Sequence, residues 1–225
     1  MRRQSTCAAI VVCIGILLSS AIIPISAQSL PGTATNIDEI VLNASAATAI
    51  VGNWTLTPDA TAAGGARIQN ANLGVAKPAA ASAVPAHAFD LTFTADAGKP
   101  YRLWLRGKAL KDDYNNDSVF VQFDGSLDEN AQPAYRIGTT SATEYNLEEC
   151  SACGVSGWGW QDNGWGGPGV LGPVIFFGHD GPQTIRIQVR EDGLGIDQVV
   201  LSSVKWISSA PGPARNDTTV LPKQN

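Results

Sequence analysis

Three tryptophans fall within eight residues of the segment Ser156-Gly157-Trp158-Gly159-Trp160-Gln161-Asp162-Asn163-Gly164-Trp165-Gly166-Gly167-Pro168-Gly169, half of the six in this 225-residue chain. An indole face matches the apolar C–H face of a pyranose ring, and amide and carboxylate side chains between the rings can satisfy its hydroxyls. Interleaved glycine lets the backbone bend until such groups converge. Trp158, Trp160, Asp162, Asn163 and Trp165 are therefore candidate sugar-contacting residues. A packing reading stands beside this one, because a strand over Gly157–Trp160 puts Trp158 and Trp160 on one face, where both can be core. Trp165 follows the turn-like Asp162-Asn163-Gly164 and is the indole best placed to stay in water.

A second constellation, Trp104, Arg106, Lys108 and the run Asp112-Asp113-Tyr114-Asn115-Asn116-Asp117, is dense in hydroxyl-binding side chains. Tyr114, Asn115 and Asn116 are candidates for a polar rim, with an ordinary turn-forming loop as the alternative. A third lies in Arg190-Glu191-Asp192-Gly193-Leu194-Gly195-Ile196-Asp197. There Asp197 is a candidate calcium ligand, or equally a cap for backbone amides or a partner for Arg186 or Arg190. Catalytic parts are scarce: His87 and His179 are isolated, and neither a Gly-x-Ser-x-Gly elbow, a phosphate loop nor His-Glu-x-x-His occurs. Paired carboxylates for glycoside hydrolysis are a matter of spatial arrangement. The chain is short for a usual glycosidase scaffold, so a non-enzymatic protein needing no cofactor is expected, with a glycoside hydrolase as the remote alternative.

These residues must be carried by strands. Phe89–Ala95 alternates with Phe89, Leu91 and Phe93 on the buried face, Tyr101–Arg106 and Ser118–Phe123 alternate likewise, and Thr184–Arg190 and Ile196–Leu201 read as an antiparallel pair. Trp104 is out of phase with Leu103 and Leu105 and points away from their face. Shorter candidates are Glu39–Asn43, Trp54–Thr57, Ala66–Gln69, Ala134–Ile137, Val174–Phe177 and Val204–Ile207. With 23 glycines, 13 prolines and no stretch of helical period, the expectation is all-β, a sandwich spanning 37–207. The alanine-rich stretches 44–49 and 79–83 are expected as loop or a single turn. Residues 208–225, with Pro211, Pro213 and Pro222, read as a mobile tail.

The opening Met1-Arg2-Arg3, the apolar run Cys7–Ile23 and the small residues to Ala27 describe a secretory signal peptide over 1–27, followed by a short linker at 28–36. An uncleaved anchor is the competing reading of that run. Cleavage removes Arg2 and Arg3 and no acid, so the net charge of −5 becomes −7. That balance argues against nucleic acid and anionic membrane as partners. The expected product is a secreted monomer, extracellular or periplasmic, whose partner is a polysaccharide or glycan. A structural or adhesive envelope protein that binds protein is the alternative from another class. Export also leaves only Cys150 and Cys153, expected to close a disulfide that braces one loop. A redox Cys-x-x-Cys lacks its βαβ setting here, and a zinc site lacks ligands.

Three stretches resemble a known family: Ala60-Thr61-Ala62-Ala63-Gly64-Gly65-Ala66-Arg67, Ala97-Gly98-Lys99-Pro100-Tyr101-Arg102-Leu103-Trp104, and Gly181–Ile187 with Gly195–Leu201. They are similar to the carbohydrate-binding modules of the galactose-binding-like superfamily, especially families six and thirty-five, over most of 37–207. The Gly-Trp-Gly-Trp segment beside Cys-x-x-Cys looks like a narrower bacterial group of secreted modules. The resemblance implies an antiparallel jelly-roll β-sandwich, lectin-like sugar binding, and a structural calcium held by an acid-Ala-acid strand and a late aspartate. Asp197 fits the late position. Asn43-Ala44-Ser45 stands where the early carboxylates belong and lacks both.

Overall fold

The computed structural model describes residues 36–224. The expected signal peptide and nearly all of the linker lie outside the described residues. Thirteen strands follow in chain order: β1 (Glu39–Asn43), β2 (Thr48–Val51), β3 (Trp54–Pro58), β4 (Ala66–Asn70), β5 (Ala88–Ala95), β6 (Arg102–Ala109), β7 (Ser118–Phe123), β8 (Ser126–Leu127), β9 (Thr143–Asn146), β10 (Gly159–Asp162), β11 (Phe176–Phe177), β12 (Gly181–Val189) and β13 (Leu194–Ser202). One sheet runs β10-β6-β13-β4-β3 with β1 also on β13, and the other runs β2-β5-β12-β7-β9. β8 and β11 form a separate two-stranded ribbon. Every strand pairing is antiparallel.

The two-residue alternation decides what faces inward. Phe89, Leu91 and Phe93 of β5, Val119, Val121 and Phe123 of β7, and Ile185 and Ile187 of β12 meet Leu103 and Leu105 of β6 and Val199 and Leu201 of β13 in one buried cluster. The chain crosses between the sheets at most steps, which is the wrapping of a jelly roll. The five long strands expected from alternation are all present. Three shorter elements were not expected, β2 overlapping the first alanine-rich stretch, β8 and β9, while the strand weighed over Gly157–Trp160 forms as β10 and holds Trp160, Gln161 and Asp162 against β6. Two expected strands do not form. Ala134–Ile137 contributes only a bridge from Arg136 to Phe123, and Val204–Ile207 is turn.

The outer face of the first sheet is also apolar. Trp104, pointing away from Leu103 and Leu105, joins Val41, Trp160, Val200 and Trp206 in a second buried cluster, covered by Ala210 and Leu221. This corrects the mobile tail expected at 208–225. Trp160 N–H donates to the Pro213 carbonyl at 3.0 Å, Asp217 N–H to Trp158 at 2.7 Å, and Leu221 exchanges hydrogen bonds with the Gln198 carboxamide. A proline-rich segment docks here because an apolar strip and a buried cation both need covering. The cation is Arg106, 1 % exposed, whose Nε donates to Asp217 Oδ2 at 2.6 Å.

Candidate functional site

Trp165 and Tyr114, 54 % and 61 % exposed, sit on the rim of one cleft of about 550 Å³. It lies where the start of β7, the end of β9 and the turn between β12 and β13 come together. Asn115 and Asn163 line it as well, so two separate sequence constellations meet in one place.

The loop bearing Trp165 is fastened from below. Asp162, 2 % exposed at the end of β10, accepts from Gly164 N–H at 2.7 Å and Gly172 N–H at 2.9 Å, clamping the base of the loop. Gly164 is required there, because a Cβ would lie 2.4 Å from the Val170 carbonyl oxygen. Glu149 accepts from Gly169 N–H at 2.6 Å, and Asn163 Nδ2 donates to Thr143 Oγ1 at 3.1 Å. Burial raises Asp162 above the usual carboxylate range, opposed by the two amides and by Arg102. Asp162 therefore positions the loop and does not reach a ligand in the cleft.

Tyr114 begins a single 3-10 turn capped by Asp113, whose Oδ1 accepts from Asn115 N–H at 3.0 Å and Asn115 Nδ2 at 2.9 Å. Those bonds hold Asp113 below its usual value. Asn116 turns inward, donating to the Leu110 carbonyl and accepting from Asn72, and is 3 % exposed. It belongs to the loop's frame and not to the rim.

The other tryptophans of the motif are core, so Trp158 and Trp160 follow the packing reading and leave the list of candidate sugar contacts. Trp158 is 4 % exposed, with the Arg106 guanidinium 4.8 Å from its ring centre and its Nε1 donating to Thr61 Oγ1 at 2.9 Å. Trp160 is 1 % exposed, on the same side of β10 as the covering C-terminal segment. The alternation of a strand, noted in the sequence, decides both.

The sequence reading missed much of the floor of the cleft, Lys77, Glu144, Asn146 and Glu148; Asp117 of its second constellation and Arg190 and Glu191 of its third complete it. Leu73 and Val75 N–H donate to Asp192, tying down the loop that brings Lys77 Nζ to 2.8 Å from Glu191 Oε1. Ser118 Oγ donates to Glu191 Oε2 at 2.5 Å. Arg190 donates to Ser118 Oγ and Asn146 Oδ1 and pairs with Glu144 Oε2 at 3.0 Å. Both cations of the cleft are thus committed to its own carboxylates. Burial pushes the Asp117 carboxyl up to about 8, against the Glu148 N–H that donates to it at 2.7 Å, and the protonated carboxyl donates a hydrogen bond to Glu191. Glu191, although burial opposes it, is held below its usual value by Lys77, Ser118 and Asp117. Cys150 and Cys153 are joined in a disulfide, and the following Gly154 N–H donates to Glu148 Oε1 at 2.8 Å. The braced loop therefore helps to hold a cleft carboxylate.

Asp197 does not suit the calcium that the resemblance implies. It is the extra residue of a bulge between Ile196 and Gln198, buried, and its Oδ2 accepts from Ala63 N–H at 2.7 Å and from Arg106 Nη1. Oδ1 is buried without a hydrogen-bond partner among the described residues, but the guanidinium paired with Oδ2 places a fixed positive charge where a cation would have to sit. Asn43, in the early strand, accepts from Gln198 instead of offering a charge. Among the described residues no group of three or more His, Cys, Asp or Glu side chains is arranged to hold a metal ion. Burial raises Asp197 to about 6, against Ala63 and Arg106.

Among the described residues no helix is long and apolar enough to cross a membrane. No protein-family model and no curated protein matches the sequence. Several solved structures are similar over about three quarters of the chain. A GH26-CBM35 β-(1,4)-mannanase from Podospora anserina is 14 % identical with a TM-score of 0.46, over 75 % of this chain and 28 % of that one. This chain therefore spans little more than a quarter of the mannanase. A family 35 carbohydrate-binding module from Clostridium thermocellum is 13 % identical with a TM-score of 0.42, over 74 % and 98 %. The C-terminal CBM6 of a marine laminarinase from Zobellia galactanivorans is 9 % identical with a TM-score of 0.43, over 73 % and 99 %. At such identities and scores no site residue carries over from those modules, and what stands on this chain's own strands is an all-β, antiparallel jelly-roll sandwich.

Proposed function

We propose that this chain is a secreted, non-catalytic carbohydrate-binding module whose ligand lies in the cleft between Trp165 and Tyr114. The observation that carries the reading is the pairing of two open aromatic rings with a floor of ordered carboxylates and amides. Flat rings take the apolar face of a sugar, while Asn115, Asn146, Glu144 and Glu148 lie along the floor for its hydroxyls. The rings stand on loops tied by Asp162, Asp113 and the Cys150–Cys153 bridge, so little ordering entropy is lost on binding. Asp117, which keeps a proton near neutral pH, is buried and commits that proton to a protein carboxylate, which supports binding over hydrolysis.

Affinity electrophoresis through gels holding neutral polysaccharides, followed by titration calorimetry with oligosaccharides of the retained polymer, tests this reading. Retention is expected for the natural protein, and loss of about tenfold or more in affinity for Trp165→Ala and for Tyr114→Ala. Retention that neither variant changes places the ligand elsewhere, and reducing ends released during prolonged incubation would make the protein a hydrolase.

A further inference from the structure

The far side of the Gly-Trp loop holds a second recess that the cleft reading leaves unused. β10 ends its sheet, its outer edge bonded to the C-terminal segment through Trp160 N–H and Pro213, and recesses of about 290 Å³ and about 260 Å³ flank that seam. Glu149, Gln161 and Ala214 line both. The larger is walled by Trp104, Trp160, Val170 and Leu171, and Val170 and Leu171 are exposed.

Gln161 is 5 % exposed, yet its carboxamide makes no hydrogen bond with any described residue. Its neighbours on the strand are all satisfied: Trp160 Nε1 donates to the Thr219 carbonyl, and Asp162 accepts two backbone amides. The Gln161 oxygen and nitrogen are not sealed from solvent, so the amide lines the recesses with its donors and acceptor free for a ligand. One donor and one acceptor set side by side match a sugar's adjacent hydroxyls or an acetamido group, and the apolar walls match its C–H face. The acid beside it is partly engaged, since Glu149 accepts from Gly169 N–H.

From this geometry we infer that the recess beside β10 is a second binding site, for a single neutral pyranose residue gripped by the Gln161 carboxamide. It depends on neither Trp165 nor Tyr114, which line the other cleft.

The test uses the full chain carrying Trp165→Ala, titrated by calorimetry and by tryptophan emission with methyl glycosides of glucose, galactose, mannose and xylose, and with N-acetylglucosamine. One-to-one binding of a member of this panel is expected, weakened about tenfold or more by adding Gln161→Met. N-acetylglucosamine as the preferred ligand assigns the acetamido form, and a plain glycoside the diol form. Because the amide has no protein partner, Gln161→Met alone is expected to melt within about 2 °C of the natural protein or above it. Binding unchanged by Gln161→Met, a melting temperature well below that range, or no binding to the panel overturns the proposal. The cleft fails separately: it falls if Trp165→Ala changes nothing while Gln161→Met abolishes retention.

Discussion

Burial separates three tryptophans that look alike in the sequence. Truncating Trp158, sealed under Arg106 and bonded to Thr61, removes a core ring, and a loss of about 3–5 kcal/mol in urea unfolding is expected for Trp158→Ala. Trp165→Ala is expected to stay within about 0.5 kcal/mol of the natural protein while losing sugar affinity, because its ring is in water. Equal destabilisation by the two would place Trp165 in the core. Asp117 gives a pH signature. Its carboxyl rises from a usual 3.8 to about 8 in the folded chain, so the folded state binds its proton more tightly than the unfolded one. The stability it contributes is fully present below the usual value and disappears as the pH rises through about 8. Asp197, raised to about 6, adds loss of the same sign at lower pH, whereas Glu191, lowered, contributes stability that disappears only on acidification. Asp117→Asn preserves an acceptor for Glu148 N–H and a donor for Glu191. The variant's melting temperature is expected to lose the upper part of the decline that these shifts predict for the natural protein between about pH 6 and about pH 9. An unchanged profile would assign the slope to other groups.

The elements that place the cleft are short and irregular, and each is secured by a few buried polar groups. The C-terminal segment is the largest of them. Asp217 and Asp197 share Arg106 beneath Trp158, and the same segment covers Val41, Trp104, Trp160 and Trp206. Removing one member of a buried ion-pair network leaves charge without its partner, so Asp217→Ala is expected to cost about 3–5 kcal/mol in denaturant unfolding. Deleting the segment from residue 211 onward should lower stability further and bare the indoles to a fluorescence quencher. A deletion that melts with the natural protein would return the segment to the status of a loose tail. Proline content and polar composition suggested such a tail. What they left out was the strip of apolar residues on the outer face of the first sheet, whose partner lies some distance along the chain.

At the scale of the molecule, charge sets which glycans the proposed site would accept. The chain carries a net charge of −5, and four carboxyl groups line the cleft against two cations already paired within it. Retardation is therefore expected in gels of neutral polysaccharide and not in gels of polygalacturonate at low salt. Stronger retardation by the uronate would overturn that electrostatic reading. Local pattern alone determined much here. Alternating apolar residues in β5, β6, β7, β12 and β13 specified strands and their buried faces, because a strand's side chains change face at every residue. The turn before Trp165 and the polar run around Tyr114 were legible as loops for a related reason, since turn chemistry is local. The tertiary structure alone decided that these two loops share one cleft floored by Asp117, Glu144, Glu148 and Glu191, that Trp158 and Trp160 are sealed, and that a guanidinium occupies the carboxylate expected to hold calcium. Each of those outcomes depends on residues far apart in the chain, brought together by sheet pairing and by the burial of charge, and no spacing within a single segment records them.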